Sequence, residues 1–294
     1  MAAIDRRNRS RGKSGAKGQM LPSASKLKCQ SHTVRHPSPD HTDMQHWELL
    51  LFFFFIAFIY ASVGFGGGSS YLAILALYAL PFKELRLIAL LCNIVVVTGG
   101  TILFVKNNHV NWRKIMPLVL ASVPMAFLGA TLRIEQRTFF ILLGCSLLLA
   151  AVLLWTSKKH PQTAAPVATD KNTYIKDGVL GGGIGFLSGM LGIGGGIFLS
   201  PLLNLIRWDN SRKIAATASV FILVNSISGI AGQLLQLPPA INYTRILLLC
   251  AAVFAGGQLG SRMAIMKFNP LMIRRMTAVL IFVAGIEVLY KHLG

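Results

Sequence analysis

The sequence is short of charge, and shortest of acid. Of its 294 residues ten are Asp or Glu, and charged residues of both signs make up 13%, about half the share of an average soluble domain. With a mean hydropathy of +0.59, too few ionic groups remain to cover a water-facing surface, which excludes an ordinary soluble enzyme. The four cysteines, Cys29, Cys92, Cys145 and Cys250, are far apart, and three lie inside apolar runs. No C-x-x-C or Cys/His spacing occurs, so neither a zinc site nor a redox pair is predicted, and no metal or cofactor is expected. The alternating pattern of a membrane β-barrel is missing as well. No apolar run carries a central carboxylate or histidine: Glu48, Glu84, Glu135, Asp209 and Glu287 all fall at starts, edges or links. A membrane enzyme needs a positioned acid, base or nucleophile. Scattered serines without a nearby histidine do not provide one, so no enzymatic activity is expected.

What is present is hydrophobic sequence, 53% of the chain, gathered in long blocks. The net charge of +19 divides unevenly. Residues 1–46 hold nine Lys and Arg against Asp5, Asp40 and Asp43, a surplus of +6, and leave +13 for the rest. That lead has no aromatic residue, and the remaining surplus lies in short links between apolar blocks. Membrane-flanking charge accounts for this better than nucleic acid, which is not expected as a partner. Residues 1–46 are predicted to be a disordered basic extension. The basic lead is too long for a conventional signal peptide, and no small-residue cleavage site follows. It reads as a tail, a targeting extension or a start assigned too early, since Met44 gives a short lead into the first apolar run.

Apolar segments follow at 48–64, 68–80, 84–105, 113–132, 136–155, 177–191, 194–206, 213–236, 244–264 and 271–290. Helices are the expected element, because open strand edges are unsatisfied in lipid. Six segments reach the roughly 20 residues needed to span a bilayer. The pairs 48–64 with 68–80, and 177–191 with 194–206, are shorter and meet at glycine clusters. Each pair reads as two tilted helices, a re-entrant hairpin, or one helix broken at depth. The expected fold is all-α: a polytopic helical membrane protein of about eight transmembrane helices. Its two homologous halves each contain a glycine-rich interrupted segment. The halves are assigned to 47–156 and 177–294, with a polar linker at 157–176. Five crossings per half invert the second copy and four leave it parallel; Lys and Arg in almost every link leave that choice open.

The two clusters are near-copies, Val63-Gly-Phe-Gly-Gly-Gly68 and Leu191-Gly-Ile-Gly-Gly-Gly196. Each leads into a short apolar run, a basic turn and a long segment carrying Asn and Ser among small residues. Matched interrupted segments in two halves are a pattern of secondary transporters. Glycine bares backbone N–H groups, and at a helix start those groups carry a partial positive field suited to an anion. The predicted substrate-binding residues are therefore Gly66, Gly67, Gly68, Ser69 and Asn93 in the first half, with Gly194, Gly195, Gly196, Ser219 and Asn225 in the second. Close helix packing and interhelical hydrogen bonding are the competing reading of the same residues. Neither cluster follows a strand or ends in Gly-Lys-Ser/Thr, which excludes a nucleotide loop. Pro117, Pro124 and Pro201 lie in or beside apolar segments, where each removes a helical N–H.

The second half resembles the sulfite exporter TauE/SafE family in Gly178–Pro201, GVLGGGIGFLSGMLGIGGGIFLSP, and in Ala215–Gly229, AATASVFILVNSISG. Ala61–Leu72, ASVGFGGGSSYL, is the weaker first-half copy, and the likeness extends over about 47–290. The resemblance implies a multi-pass carrier of the cell membrane, the inner membrane in a bacterial host. It implies a small anionic solute such as sulfite, a sulfonate or a related organic acid, moved by an ion gradient with the proton as the first candidate for coupling ion. Membrane lipid is an expected partner and a homo-oligomer a further one. An anion channel and a membrane-embedded assembly protein without transport activity are the alternatives. The basic lead before Trp47 departs from the usual family pattern.

Overall fold

A computed structural model of the chain describes residues 47–62, 64–78, 80–156, 171–235, 242–263 and 270–293. The extension expected at 1–46 lies outside the described residues, as does most of the expected linker. Ten helices occur among the described residues: α1 Trp47–Ala61, α2 Gly68–Leu77, α3 Phe82–Lys106, α4 Trp112–Thr131, α5 Gln136–Thr156, α6 Lys171–Leu191, α7 Gly196–Leu205, α8 Ser211–Leu234, α9 Tyr243–Met263 and α10 Pro270–Leu293. Each expected apolar segment has become a helix, and no strand occurs among the described residues. Helix α6 begins at Lys171, so the end of the expected linker is helical. By length and composition α3, α4, α5, α8 and α9 can each cross a membrane, while α1, α2 and α7 are shorter apolar helices.

The short helices double back. In α2, Tyr71 stacks on Phe53 of α1 with ring centroids 4.6 Å apart, and Ser70 hydrogen-bonds Tyr60 at 2.6 Å. The first turn of α2 therefore folds back along α1, from Tyr60 at Ser70 to Phe53 at Tyr71. At the far end of the second pair, Trp208 Nε1, just past α7, donates to Asp177 Oδ2 near the start of α6 at 3.0 Å. The chain thus turns back on itself at both glycine-rich breaks. The turns need glycine: Gly64, Gly67, Gly192, Gly194 and Gly195 all have φ between 74 and 85°, where a side chain clashes with its own backbone.

Helix directions follow from the close approaches. On α6, Gly181, Gly185 and Gly189 recur at one face, and a Cβ on each would lie 2.7–2.8 Å from the Cα of Leu118, Ser122 and Ala126 of α4. Matched four-residue steps mean that α4 and α6 run parallel at backbone contact, the small-residue packing that membrane helices favour. The same relation recurs where Gly256 and Gly260 of α9 meet the backbone of Phe54 and Phe58 of α1. Helices α3 and α8, third in their respective sets of five, run antiparallel. Leu90 meets Gly229 toward one end, while Phe104 and Ala215 both meet Gly64 toward the other. The second set of five helices is therefore inverted relative to the first, the orientation that loop charge left open.

The α4–α6 contact has a direct consequence. Gly189→Val forces a branched side chain into the Ala126 backbone, with no flexible neighbour to yield. We expect it to destabilise the folded protein by about 2–3 kcal/mol, the upper range for overpacking. Thermal unfolding of the purified protein in detergent checks this. Gly183→Ala is the control, since nothing stands within 4 Å of a Cβ at Gly183.

Candidate substrate site at the two helix breaks

The breaks meet in the middle of the helical body, and everything around them is buried: residues 64–73 and 191–201 form two unbroken buried stretches. Helices α2 and α7 both begin there, each from a glycine in the left-handed region. Gly67 has φ 83 and ψ 3°, Gly195 has φ 80 and ψ −15°, and neither helix has a side-chain cap. The first turn of a helix leaves its N–H groups without intrahelical acceptors. In α2 and α7 the earliest helical bonds to the cap carbonyls come from Ser70 and Tyr71, and from Phe198 and Leu199. The N–H groups of Gly68, Ser69, Gly196 and Ile197 precede those bonds and form the uncapped turn at each helix start.

Each half holds the other's break. Asn93 Nδ2, midway along α3, donates to the Ile193 carbonyl at 2.9 Å. Ser219 Oγ, on α8, donates to the Gly64 carbonyl at 2.8 Å. Asn93 is fully buried and occupies the space the glycines leave: a Cβ on Gly66 would fall on its Oδ1, one on Gly68 on its Nδ2, and one on Gly194 would lie 2.8 Å from Nδ2. Its Oδ1 is without a hydrogen-bond partner, as is the buried Ser226 Oγ, which stands 3.0 Å from the Cβ position of Gly194. Between the two helix starts lies a cavity lined by Gly66, Gly67, Gly68, Ser69, Ile193, Gly196 and Ile197, with Tyr60, Phe65 and Ile222 closing it. The centre of a water-sized sphere has about 10 Å³ of room in it, space for one water molecule.

Of the ten predicted binding residues, Gly66, Gly67, Gly68, Ser69 and Gly196 line this cavity. Asn93 and Gly194 touch each other beside it, and Gly195 caps α7 against Phe221, Ser188 and Ile184. Ser219 serves the first break from the opposite side. Asn225 lies outside the lining; its amide donates within its own helix to the Phe221 carbonyl at 2.9 Å. Asn93 and Asn225 are thus not equivalent, although both are asparagines in matching long segments. The apolar lining residues Phe65, Ile193, Ile197 and Ile222 had no polar signal in the sequence. Ser226 had one, as a hydroxyl in an apolar run.

At the two ends of the body, acid–base pairs also join the halves. Where α3 begins, Glu84 Oε1 lies 3.5 Å from Arg245 Nη1 at the start of α9. Where α8 begins, Asp209 Oδ2 lies 3.2 Å from Lys114 Nζ near the start of α4, with Lys213 Nζ 3.7 Å from Oδ1. Lys114 also stands 5.2 Å from the centroid of the Trp208 ring.

A multi-pass helical body whose two interrupted hairpins meet at a buried cavity has the form of a membrane transporter. The chain matches the family described as Sulfite exporter TauE/SafE over residues 49–288, and it belongs to that family. It is 30% identical over 243 residues to the "Probable membrane transporter protein y4hK" of Sinorhizobium fredii, covering 82% of this chain and 97% of that protein. It is 24% identical over 216 residues to the "Probable membrane transporter protein YunE" of Bacillus subtilis, covering 67% and 78% respectively. It is 28% identical over 131 residues to the "Probable membrane transporter protein MJ0441" of Methanocaldococcus jannaschii, covering 44% and 48%. No solved structure gives a significant match. The chain is a multi-pass membrane transporter that works in lipid on a solute.

Proposed function

We propose that the chain is a secondary active carrier of small anions, namely sulfite, sulfonates or related organic acids. It works by alternating access of two inverted repeats, 47–156 and 177–294, about the cavity between α2 and α7. The observation that carries the anion reading is the meeting of two uncapped helix N-termini at one buried cavity. Each such terminus is equivalent to about half a positive charge, and its field is strong where water is scarce. No carboxylate lines the cavity. Backbone amides, Ser69 and the Asn93 amide complete a neutral set of groups, which binds an oxyanion without the cost of a permanently buried cation.

Room for one water is too little for an oxyanion of four or more heavy atoms. This supports an occluded carrier conformation over an open pore. Proton coupling then needs no titrating side chain, because a weakly basic anion such as sulfite takes up the proton itself. We place the carrier in the cell membrane, the inner membrane in a bacterial host. The test is counterflow with the purified full chain in proteoliposomes. Unlabelled sulfite inside is expected to drive accumulation of labelled sulfite, and an imposed pH gradient to change net flux. A channel dissipates the gradient without counterflow. No exchange with any sulfur oxyanion, sulfonate or small carboxylate overturns the proposal.

A further inference from the structure

We propose that Arg86 forms a second anion subsite, on the side of the cavity facing the end where α3 begins, and that the solute meets its guanidinium before reaching the two helix N-termini. The inference rests on the anion-carrier reading above. Arg86 lies in the second turn of α3 and is 5% exposed. The ion pairs among the described residues join Lys114 and Lys213 to Asp209, and Arg245 to Glu84; none of them involves Arg86. Its Nη2 donates to the Gly189 carbonyl in the last turn of α6 at 2.9 Å, and its Cζ stands 5.7 Å from the Phe139 ring centroid. Its Nε is buried without a partner.

A guanidinium has five N–H donors in a planar fork, and here one carbonyl and one ring face answer it. The C-terminal end of α6 and the aromatic quadrupole offset part of the charge. Neither is a full counter-charge, and a buried unpaired cation is among the costliest arrangements in a membrane protein. Capping α6 alone does not call for a guanidinium, since any donor of sufficient reach serves one carbonyl. The remaining donors match an oxyanion, which the fork can take in bidentate fashion.

Location ties Arg86 to the cavity. Its Cβ lies 3.2 Å from the Cβ position of Gly192, the residue before Ile193, whose carbonyl Asn93 holds. Arg86 and Asn93, seven residues apart, share one face of α3 and are separated by about 10 Å along its axis. The subsite is one-sided: at the repeat spacing of 128 residues the second half carries Ile214, fully buried. A carrier built of two near-copies thereby acquires a charged approach from one end only.

The test is anion binding to the purified full chain, read as sulfite-dependent thermal stabilisation, for the wild type, R86Q and R86K. R86Q is expected to weaken sulfite at least tenfold while eluting as the wild type does. R86K, which carries an ammonium in place of the planar fork, is expected to bind sulfite more weakly than the wild type. A folded R86Q with wild-type affinity overturns the subsite and leaves the carrier reading intact. If R86Q does not fold, R86K decides alone, and a folded R86K with wild-type affinity overturns the subsite. A wild type that binds none of sulfite, sulfonates or small carboxylates overturns the carrier reading, and the subsite falls with it.

Discussion

Gly68→Ala should lower counterflow by at least about 100-fold while the protein still inserts and purifies. The added methyl lands on the Asn93 amide nitrogen and 2.7 Å from the Ile193 carbonyl, so it strikes the cavity wall and the bond holding the second break together. A full block of the site needs only about 2.7 kcal/mol of lost stabilisation to reach that factor. Overpacking by a single methylene is of that size where neighbours are fixed. Gly100→Ala, in the adjoining α3, is the matched control, since nothing stands within 4 Å of its Cβ; it should leave transport and stability unchanged. The coupling is also measurable. Asn93→Ala removes the group that Gly68→Ala collides with, so in thermal unfolding the two changes together should cost less than their sum. Strict additivity would mean that the methyl and the amide do not meet. Transport surviving Gly68→Ala would move the site away from this junction.

Much of this arrangement is legible in the chain before folding. Apolar length alone marks the helices, because lipid leaves the backbone no other way to satisfy itself. The near-identity of 63–68 and 191–196 marks the two breaks. A repeated glycine cluster does not say whether the helix turns back, however. That depends on Tyr71 reaching Phe53 and on Trp208 reaching Asp177, contacts between residues whose separation in sequence carries no period. The inversion was hidden for a similar reason: basic residues flank nearly every helix, whereas direction is recorded in packing steps such as Gly181, Gly185 and Gly189 against Leu118, Ser122 and Ala126. Asn93 and Asn225 look alike as polar residues in small-residue helices, yet one crosses to the other half and the other bonds within its own turn. Rotation about the helix axis separates them, and composition does not encode it.

Neutralising Asp209 should bias the carrier toward the state open at the end where α8 begins. The pairs Lys114–Asp209 and Glu84–Arg245 each join one half to the other, at opposite ends. In an alternating cycle each therefore closes one end and must break when that end opens. Their weights differ. Lys114 and Asp209 have side chains 12% and 11% exposed, with Lys213 adding to the field, so losing one partner costs about 2 kcal/mol, between the values for surface and fully buried pairs. That is about a 30-fold shift in the balance of the two states. Arg245 is 27% exposed and the Glu84 pair is longer at 3.5 Å, so Arg245→Gln should shift the balance the other way by only about fivefold. The measurement is labelling of Ile197→Cys, at the cavity wall, by an impermeant thiol reagent added from either side, with the native cysteines replaced by serine. Asp209→Asn should speed labelling from its own end and slow it from the other, and Arg245→Gln should do the reverse. Exchanging the charges, Glu84→Arg with Arg245→Glu, should restore the wild-type ratio. The same exchange at Asp209 should restore it only in part, because Lys213, four residues on, then faces a like charge. Faster labelling from both sides in either single variant would mean that the pairs merely hold the body together and do not alternate.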